Sequence, residues 1–240
     1  MKKEKKILIF GASSGIGIST INVFLKEGWD VTAHYNSNLK PLKKLMKTNK
    51  KLKVFKFNLK NIYKFEKYVL KRKSFFKNFD SFVNLTGYLK PATFNKFKIQ
   101  DMYDHLNVNY FSSLLVIREI LKSMEKKKWG RIVLSGSIGT KFGGGSNTFA
   151  YSLSKFNNEF FPSYYKKLYS KNIIINTLQI GLAKTQLHKK LKSKNMKKRI
   201  NLIPLKRMAN PQELANYIYY LCSEKNSLLT GAIINVSGGE

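Results

Sequence analysis

Residues 6–28 constrain the architecture more tightly than any other stretch of the chain. Lys6-Ile7-Leu8-Ile9-Phe10 is a short apolar run containing β-branched side chains, the pattern of a buried strand. Gly11 ends it, and Ile16, Thr20, Val23 and Phe24 then fall at helical spacing up to Gly28, a C-terminal stop. A strand that turns through Gly11-Ala12-Ser13-Ser14-Gly15-Ile16-Gly17 straight into a helix leaves unpaired N–H groups converging with the positive end of the helix dipole. That arrangement suits a diphosphate. Gly11 permits the tight turn, Gly15 lets phosphate oxygens approach the backbone, and Gly17 lets the helix pack closely on the strand. The spacing is G-x-x-x-G-x-G, not the commoner G-x-G-x-x-G, and three glycines alone suit an ordinary turn equally well.

Strand-then-helix alternation continues to the end of the chain. Strand-like runs near residues 6–10, 31–35, 53–57, 81–84, 131–135, 173–179 and 233–236 are separated by helix-like stretches. This predicts an α/β fold, a Rossmann-like doubly wound parallel sheet of about seven strands with helices on both faces. With 240 residues, 43% of them hydrophobic, the chain buries one substantial core, and no linker or repeat divides it. A single domain over 1–240 is expected. Lys2–Lys6 and the apolar run after them imitate an export signal, but the run is too short and enters the glycine turn at once. No run is long enough for a membrane span. Cys222 is the only cysteine, which excludes an intrachain disulfide and fits a reducing, cytoplasmic compartment. His34, His105 and His188 lie on dissimilar elements, so no metal site is expected.

A second cluster carries the chemistry. The stretch from Ala150 to Tyr169 reads as a helix, so Tyr151 and Lys155, four residues apart, project from one face. A free tyrosine titrates near pH ~10 and moves protons poorly at neutrality. A fixed ammonium beside it stabilises the phenolate and lowers that value. Such a group contributes about 10²- to 10⁴-fold as a general acid or base. Ser137 follows the strand-like Arg131-Ile132-Val133-Leu134-Ser135, where its hydroxyl could meet the tyrosine and a substrate oxygen. Taken alone, a Tyr–Lys pair is more often a solvated helix face in a chain this rich in both residues.

The order of these motifs is what distinguishes the chain. Gly11–Gly17, Asn84-Leu85-Thr86-Gly87, Asn109, Ser137, Tyr151, Lys155, Gly181-Leu182-Ala183-Lys184-Thr185 and the closing Gly231–Gly239 follow one another as in the short-chain dehydrogenase/reductase family. The chain resembles that family over essentially its whole length, and its 3-oxoacyl-carrier-protein reductases most. The resemblance implies that Tyr151 protonates a carbonyl oxygen as hydride arrives from a nicotinamide, and that Ser137 orients that oxygen. It also implies that Lys155 binds the nicotinamide ribose and depresses the tyrosine pKa, and that Asn109 anchors a water linking the lysine to solvent. Cofactor contacts are expected at Gly11, Ser13, Ser14, Gly15, Ile16, Gly17, Tyr35, Asn36, Ser37, Asn38, Asn58, Leu59, Asn84, Gly87, Tyr151, Lys155, Gly181 and Thr185.

Departures from the family pattern are informative. Leu85 and Thr86 stand where Asn and Ala are usual, and Asn58 replaces the aspartate usually placed by the adenine. Ile180 replaces a proline before Gly181, which should loosen that turn, and Pro162 should cost the catalytic helix a hydrogen bond and bend it beyond Lys155. At the end of the second strand, Val31-Thr32-Ala33-His34-Tyr35 leads into Asn36-Ser37-Asn38-Leu39-Lys40 with no carboxylate to repel a 2′-phosphate. NADP(H) is therefore expected over NAD(H).

The formal charge of +32, from 45 basic against 13 acidic residues, allows three readings: compositional bias, attraction of an acidic partner, or nucleic-acid binding. The basic residues are spread along the chain with no nucleic-acid motif, so nucleic acid ranks last. An acidic acyl carrier protein is the partner that fits, with Lys128, Arg131 and Lys171 expected near the catalytic strand and helix. In residues 182–200 basic side chains interleave with Leu182, Leu187, Leu191 and Met196, the pattern of amphipathic helices, and by resemblance a substrate lid. The function expected is reduction of a 3-oxoacyl thioester, as in fatty acid biosynthesis. The alternatives are oxidation or reduction of a sugar or other small alcohol or ketone, and a non-catalytic dinucleotide- or polyanion-binding protein. The resemblance further implies a homo-oligomer, a tetramer or dimer built on helices around 101–124 and 150–169.

Overall fold

Alternate residues of the first strand face two different cores. A computed structural model describes residues 4–165, 171–185 and 196–240 of the chain. In it β1 (Lys6–Phe10) sends Leu8 and Phe10 to one side and Ile7 and Ile9 to the other, all fully buried. Only a strand covered on both faces has this need, and a parallel sheet supplies it. The remaining strands are β2 (Asp30–Tyr35), β3 (Leu52–Lys56), β4 (Ser81–Asn84), β5 (Gly130–Ser137), β6 (Ile173–Ile180) and β7 (Ile233–Val236). They lie in the order β3-β2-β1-β4-β5-β6-β7, every pairing parallel. The expected α/β architecture is what the chain adopts.

Helices α1 (Gly15–Lys26), α2 (Lys40–Thr48) and α9 (Pro211–Cys222) cover the Ile7 face through Ile21, Phe24, Leu42 and Ile218. Helices α3 (Ile62–Lys71), α4 (Lys73–Phe76), α6 (Ser112–Lys127) and α7 (Phe149–Tyr164) cover the other, through Phe65, Phe76, Ile117 and Phe161. α5 (Ile99–Leu106) and α8 (Met196–Leu202) complete the described helices. Strand order reverses between β1 and β4, and ligands of open parallel sheets bind outside the carboxyl ends of the strands at that point.

Local features refine this picture. The long helix around 101–124 is interrupted: a π-helical turn over Asn107–Phe111 separates α5 from α6 and carries Asn109. Such turns concentrate at functional sites. β5 does not stop at Ser135 but continues to Ser137, because β6 continues beside it to Ile180. Ile180 has the side chain of a strand residue and pairs with Ser137 and Val236 up to the turn before Gly181. α7 continues past Pro162, and the carbonyl that proline leaves without a helical donor is satisfied from β6.

Candidate active site

The glycine turn is held from three directions. Ala12 N–H donates to the His34 carbonyl at 3.0 Å, Ser14 N–H to Gly11 at 3.1 Å, and Leu85 N–H to Phe10 at 3.0 Å. Gly11 has φ +68°, and a Cβ there would stand 2.6 Å from the Leu85 carbonyl oxygen. A Cβ on Gly17 would lie 2.5 Å from the Ala12 carbonyl oxygen, so α1 rests directly on the turn. At Gly15 the nearest atoms to such a Cβ are 3.7 Å away, and the residue is exposed. The backbone is therefore open where a phosphate would approach. Ser14 Oγ accepts from Gly17 N–H at 3.0 Å, while the first amides of α1 have no intrahelical acceptor. These residues fit a dinucleotide diphosphate.

From Ile16 at the start of α1, a cleft of about 520 Å³ runs past Leu85, Thr86 and Gly87 to Ser135, Ser137, Tyr151 and Lys155. Gly181, Ala183 and Thr185 line its far wall. Lys155 is 2% exposed, and its ammonium donates to Thr86 O at 2.6 Å, Ser135 Oγ at 2.7 Å and Ser135 O at 3.0 Å. Burial lowers its pKa to about 7. Burial also pushes the Tyr151 phenol up to about 12, opposed by a hydrogen bond with Ser137. Tyr151 and Lys155 thus share the cleft as the i, i+4 spacing requires. The expected depression of the phenol by the lysine is not what the site shows: desolvation dominates, and the opposing influence is Ser137.

Asn109 is fully buried and fully engaged. Its Oδ1 accepts from Tyr88 N–H at 2.8 Å, and its Nδ2 donates to Tyr88 O at 3.0 Å and Ser154 Oγ at 2.9 Å. Its carbonyl accepts from Asn158 Nδ2 at 3.0 Å and Asn84 Nδ2 at 3.4 Å. Asn109 therefore ties the π turn to α7 and to the loop after β4, without lining the cleft.

The other expected contacts fall into two groups. Ile16, Gly87, Gly181 and Thr185 line the cleft. Tyr35 ends β2, with Asn36, Ser37 and Asn38 just beyond it, and Asn38 Oδ1 caps Lys40 N–H at 3.2 Å. Asn58 lines a separate depression between α3 and α6, its Oδ1 accepting from Lys60 N–H at 3.1 Å. Leu59 is 3% exposed and packs into the core, and Asn84 is fully buried with Oδ1 on Thr86. Their side chains shape the site from behind.

Sequence reasoning missed Ser135, the side-chain acceptor for Lys155. Period-2 alternation places it on the same strand face as Ser137, which was the available signal. It also missed Leu89, Ile138, Phe142, Asn147, Thr148 and Leu202 on the cleft walls. Lys128 and Arg131 were expected beside the catalytic end. They lie at the opposite end of the sheet, since β5 starts at Gly130 and presents Ser137 only at its last residue. Arg131 is moreover buried, its guanidinium donating to the carbonyls of Gly130, Asn172 and Asn226. Lys171 faces Glu125 at 3.9 Å. Of the expected lid, residues 186–195 lie outside the described residues, including Lys189, Lys190, Lys192 and His188. No group of metal-ligating side chains occurs among the described residues.

A phosphate-accepting glycine turn at the sheet's switch point, joined by one cleft to a buried lysine and a tyrosine–serine pair, defines a nicotinamide-dependent oxidoreductase of the Rossmann type. The family model described as Enoyl-(Acyl carrier protein) reductase matches residues 11–240. The chain is 34% identical to the 3-oxoacyl-[acyl-carrier-protein] reductase FabG of Aquifex aeolicus over 67% of this chain and 64% of that protein. It is 30% identical to the protein of the same name from Thermotoga maritima, over 100% and 99% of the two chains. A solved 3-oxoacyl (acyl-carrier-protein) reductase from Agrobacterium tumefaciens with NADP bound superposes with a TM-score of 0.85 at 22% identity, covering 98% and 94% of the two chains. The chain belongs to the short-chain dehydrogenase/reductase family and is an oxidoreductase of that family.

Proposed function

We propose that the protein is an NADPH-dependent ketoreductase whose favoured substrate is a 3-oxoacyl thioester. The observation that carries the reading is the cleft itself. Ser137, Tyr151 and Lys155 line it together with Leu89, Ile138, Phe142 and Leu202, which give it an apolar character suited to an acyl chain. The relatives named for reduction of 3-oxoacyl groups on acyl carrier protein support the same substrate class.

Gly11, Ser13, Ser14, Gly15, Ile16 and Gly17 would hold the diphosphate, with Gly87, Gly181 and Thr185 along the nicotinamide end. The bound nicotinamide supplies the hydride. Ser137 orients the substrate carbonyl, and Tyr151 gives its phenolic proton to that oxygen. Both residues line the one cleft, and Ser137 is the group that opposes the effect of burial on the phenol. The ammonium of Lys155 favours the phenolate left behind, and Asn109 keeps α7 and the loop after β4 in register. Asn36, Ser37 and Asn38, free of any carboxylate, would receive the 2′-phosphate.

An acidic carrier would meet the mouth of the cleft, which Arg199 lines and which Lys197 and Lys198 precede on α8. Residues 182–200 would close over the acyl group, within one domain spanning 1–240. A cytoplasmic homo-oligomer is the form in which we expect the enzyme to act; no described helix is long and apolar enough to cross a membrane. Asn147, Thr148 and Glu240 give the same cleft a polar side, which favours a sugar or small alcohol as the second reading. Consumption of NADPH with an acetoacetyl thioester, compared with Tyr151→Phe and with a panel of small ketones and alcohols, tests both. Turnover of the thioester lost in Tyr151→Phe supports the first reading. Cofactor binding with no turnover on any of them would overturn the enzyme.

A further inference from the structure

The carboxyl of Glu159 lies directly behind the end of β5, in a protein with only 13 acidic residues. Glu159 is 8% exposed, and none of the ion pairs among the described residues includes it. A carboxyl in such a place is costly unless its oxygens are hydrogen-bonded. Here Oε1 accepts from Thr140 Oγ1 at 2.6 Å and from Gln179 Nε2 at 2.8 Å. Gln179 Nε2 also donates to Thr140 Oγ1 at 3.0 Å, and the one Thr140 hydroxyl proton is shared between Glu159 Oε1 and the Ser137 carbonyl, 2.7 Å away. Three elements therefore meet on one carboxyl: α7, the last turn of β6, and the 3-10 turn Ile138–Phe142 that follows Ser137.

None of these three side chains lines the cleft. The space they occupy is specific to them, since a Cβ on Gly136 would come within 3.3 Å of Glu159 Oε1 and of Gln179 Cγ. What they grip is the backbone of Ser137 and the turn beyond it. The Ser137 hydroxyl accepts from Gly139 N–H of that turn at 3.2 Å and lines the same cleft as Tyr151, whose phenol it holds down against the effect of burial. Glu159 is two helical turns from Tyr151 on the same helix, so the brace also fixes α7 against the strand that carries Ser137.

We propose that Glu159, acting through Thr140 and Gln179, is a positioning residue that sets Ser137 against Tyr151. The inference rests on the reading of Ser137 and Tyr151 as the proton-handling pair, and its first test needs no turnover. Carbon-13 NMR of tyrosine labelled at Cζ reports the Tyr151 hydroxyl environment at neutral pH, the resonance being assigned by its loss in Tyr151→Phe. Ser137→Ala should shift that resonance, and Glu159→Ala should shift it the same way. The double variant should shift it no further than Ser137→Ala alone, whereas Glu159→Gln, which keeps an acceptor for Thr140, should stay near the wild type.

With an active substrate, Glu159→Ala should lower kcat about 10²-fold, the effect of a displacement of about 1 Å at a reacting centre, with NADPH affinity unchanged. That loss should vanish in the Ser137→Ala background and be largely rescued by Glu159→Gln. Should Glu159→Ala not fold, Thr140→Val and Gln179→Ala carry the same comparison from the outer members of the brace. A Tyr151 resonance unmoved in the folded variants, or an equal kcat loss with and without Ser137, would overturn the proposal. Wild-type inactivity on every substrate, with the resonance behaving as stated, would instead count against the ketoreductase reading alone.

Discussion

The hydroxyl of Thr177 on β6 donates to the carbonyl of Asn158 at 2.6 Å, four residues before Pro162 on α7. In a regular helix the N–H of residue 162 would fill that role, and proline has none. Thr177 thus supplies from the sheet the bond that the sequence removes from the helix. Replacing it by valine keeps the shape and leaves a buried carbonyl unsatisfied, a loss of about 1–3 kcal/mol. Urea unfolding of Thr177→Val should show that loss. Adding Pro162→Ala should restore part of it by returning an N–H, whereas Pro162→Ala alone should gain little. Equal effects of Thr177→Val in the two backgrounds would disprove the link.

Burial, not a counter-charge, governs Lys155. With its pKa lowered to about 7, Lys155 is charged below that pH and loses its proton as pH rises through it. The phenol of Tyr151, raised to about 12, stays protonated across the same window. In the reductive direction kcat/KM, which reports the free enzyme, should fall above about pH 7. Lys155→Arg keeps the charge and should flatten that limb at a lower overall rate. A wild-type profile level from pH 6 to 9 would remove Lys155 from the proton chemistry.

Much of this could be read from the residues because each catalytic signal is local. The glycine turn needs positive φ at Gly11, and the Tyr151–Lys155 pair needs only the pitch of a helix. The five inner strands declare themselves by apolar runs buried on both faces, and the edge strands β3 and β7 by partly exposed ones. What was not legible depends on partners distant in sequence. Arg131 reads as surface charge, yet it closes the lower end of the sheet on carbonyls from residues 172 and 226. Thr140, Glu159 and Gln179 are unremarkable separately, and only the packing of β6 against α7 brings them onto Ser137. The π turn at Asn109 leaves no mark in the hydrophobic period, because α5 and α6 are each regular up to it.

On the proposed reading, cofactor choice turns on the end of β2. Tyr35 closes the strand, and the next three residues offer amides and a hydroxyl without a negative charge. Asn36→Asp would place a carboxylate where the 2′-phosphate is expected, and like charges there disfavour NADPH. The ratio of kcat/KM for NADPH to that for NADH should drop at least about tenfold, a change of about 1.4 kcal/mol. An unchanged ratio would move the 2′-phosphate away from this turn.

We propose that assembly uses one face of α7. Leu153, Phe156, Phe160 and Tyr164 are 40, 55, 68 and 69% exposed and recur at intervals of three and four, so they form a single stripe along α7. Phe111, at the end of the π turn, is also exposed. A contiguous apolar stripe of this kind on a chain carrying +32 charges is the mark of an interaction surface, and a second copy of the chain is the occupant we propose. Wild-type protein should sediment as a dimer or tetramer. Phe156→Glu with Phe160→Glu should reduce it to a smaller species at the same concentration, because each would bury a charge on both sides of a symmetric contact. Since both side chains are exposed and neither lines the cleft, NADPH binding should survive in that smaller species. A monomeric wild type, or an unchanged mass in the double variant, would place the contact elsewhere.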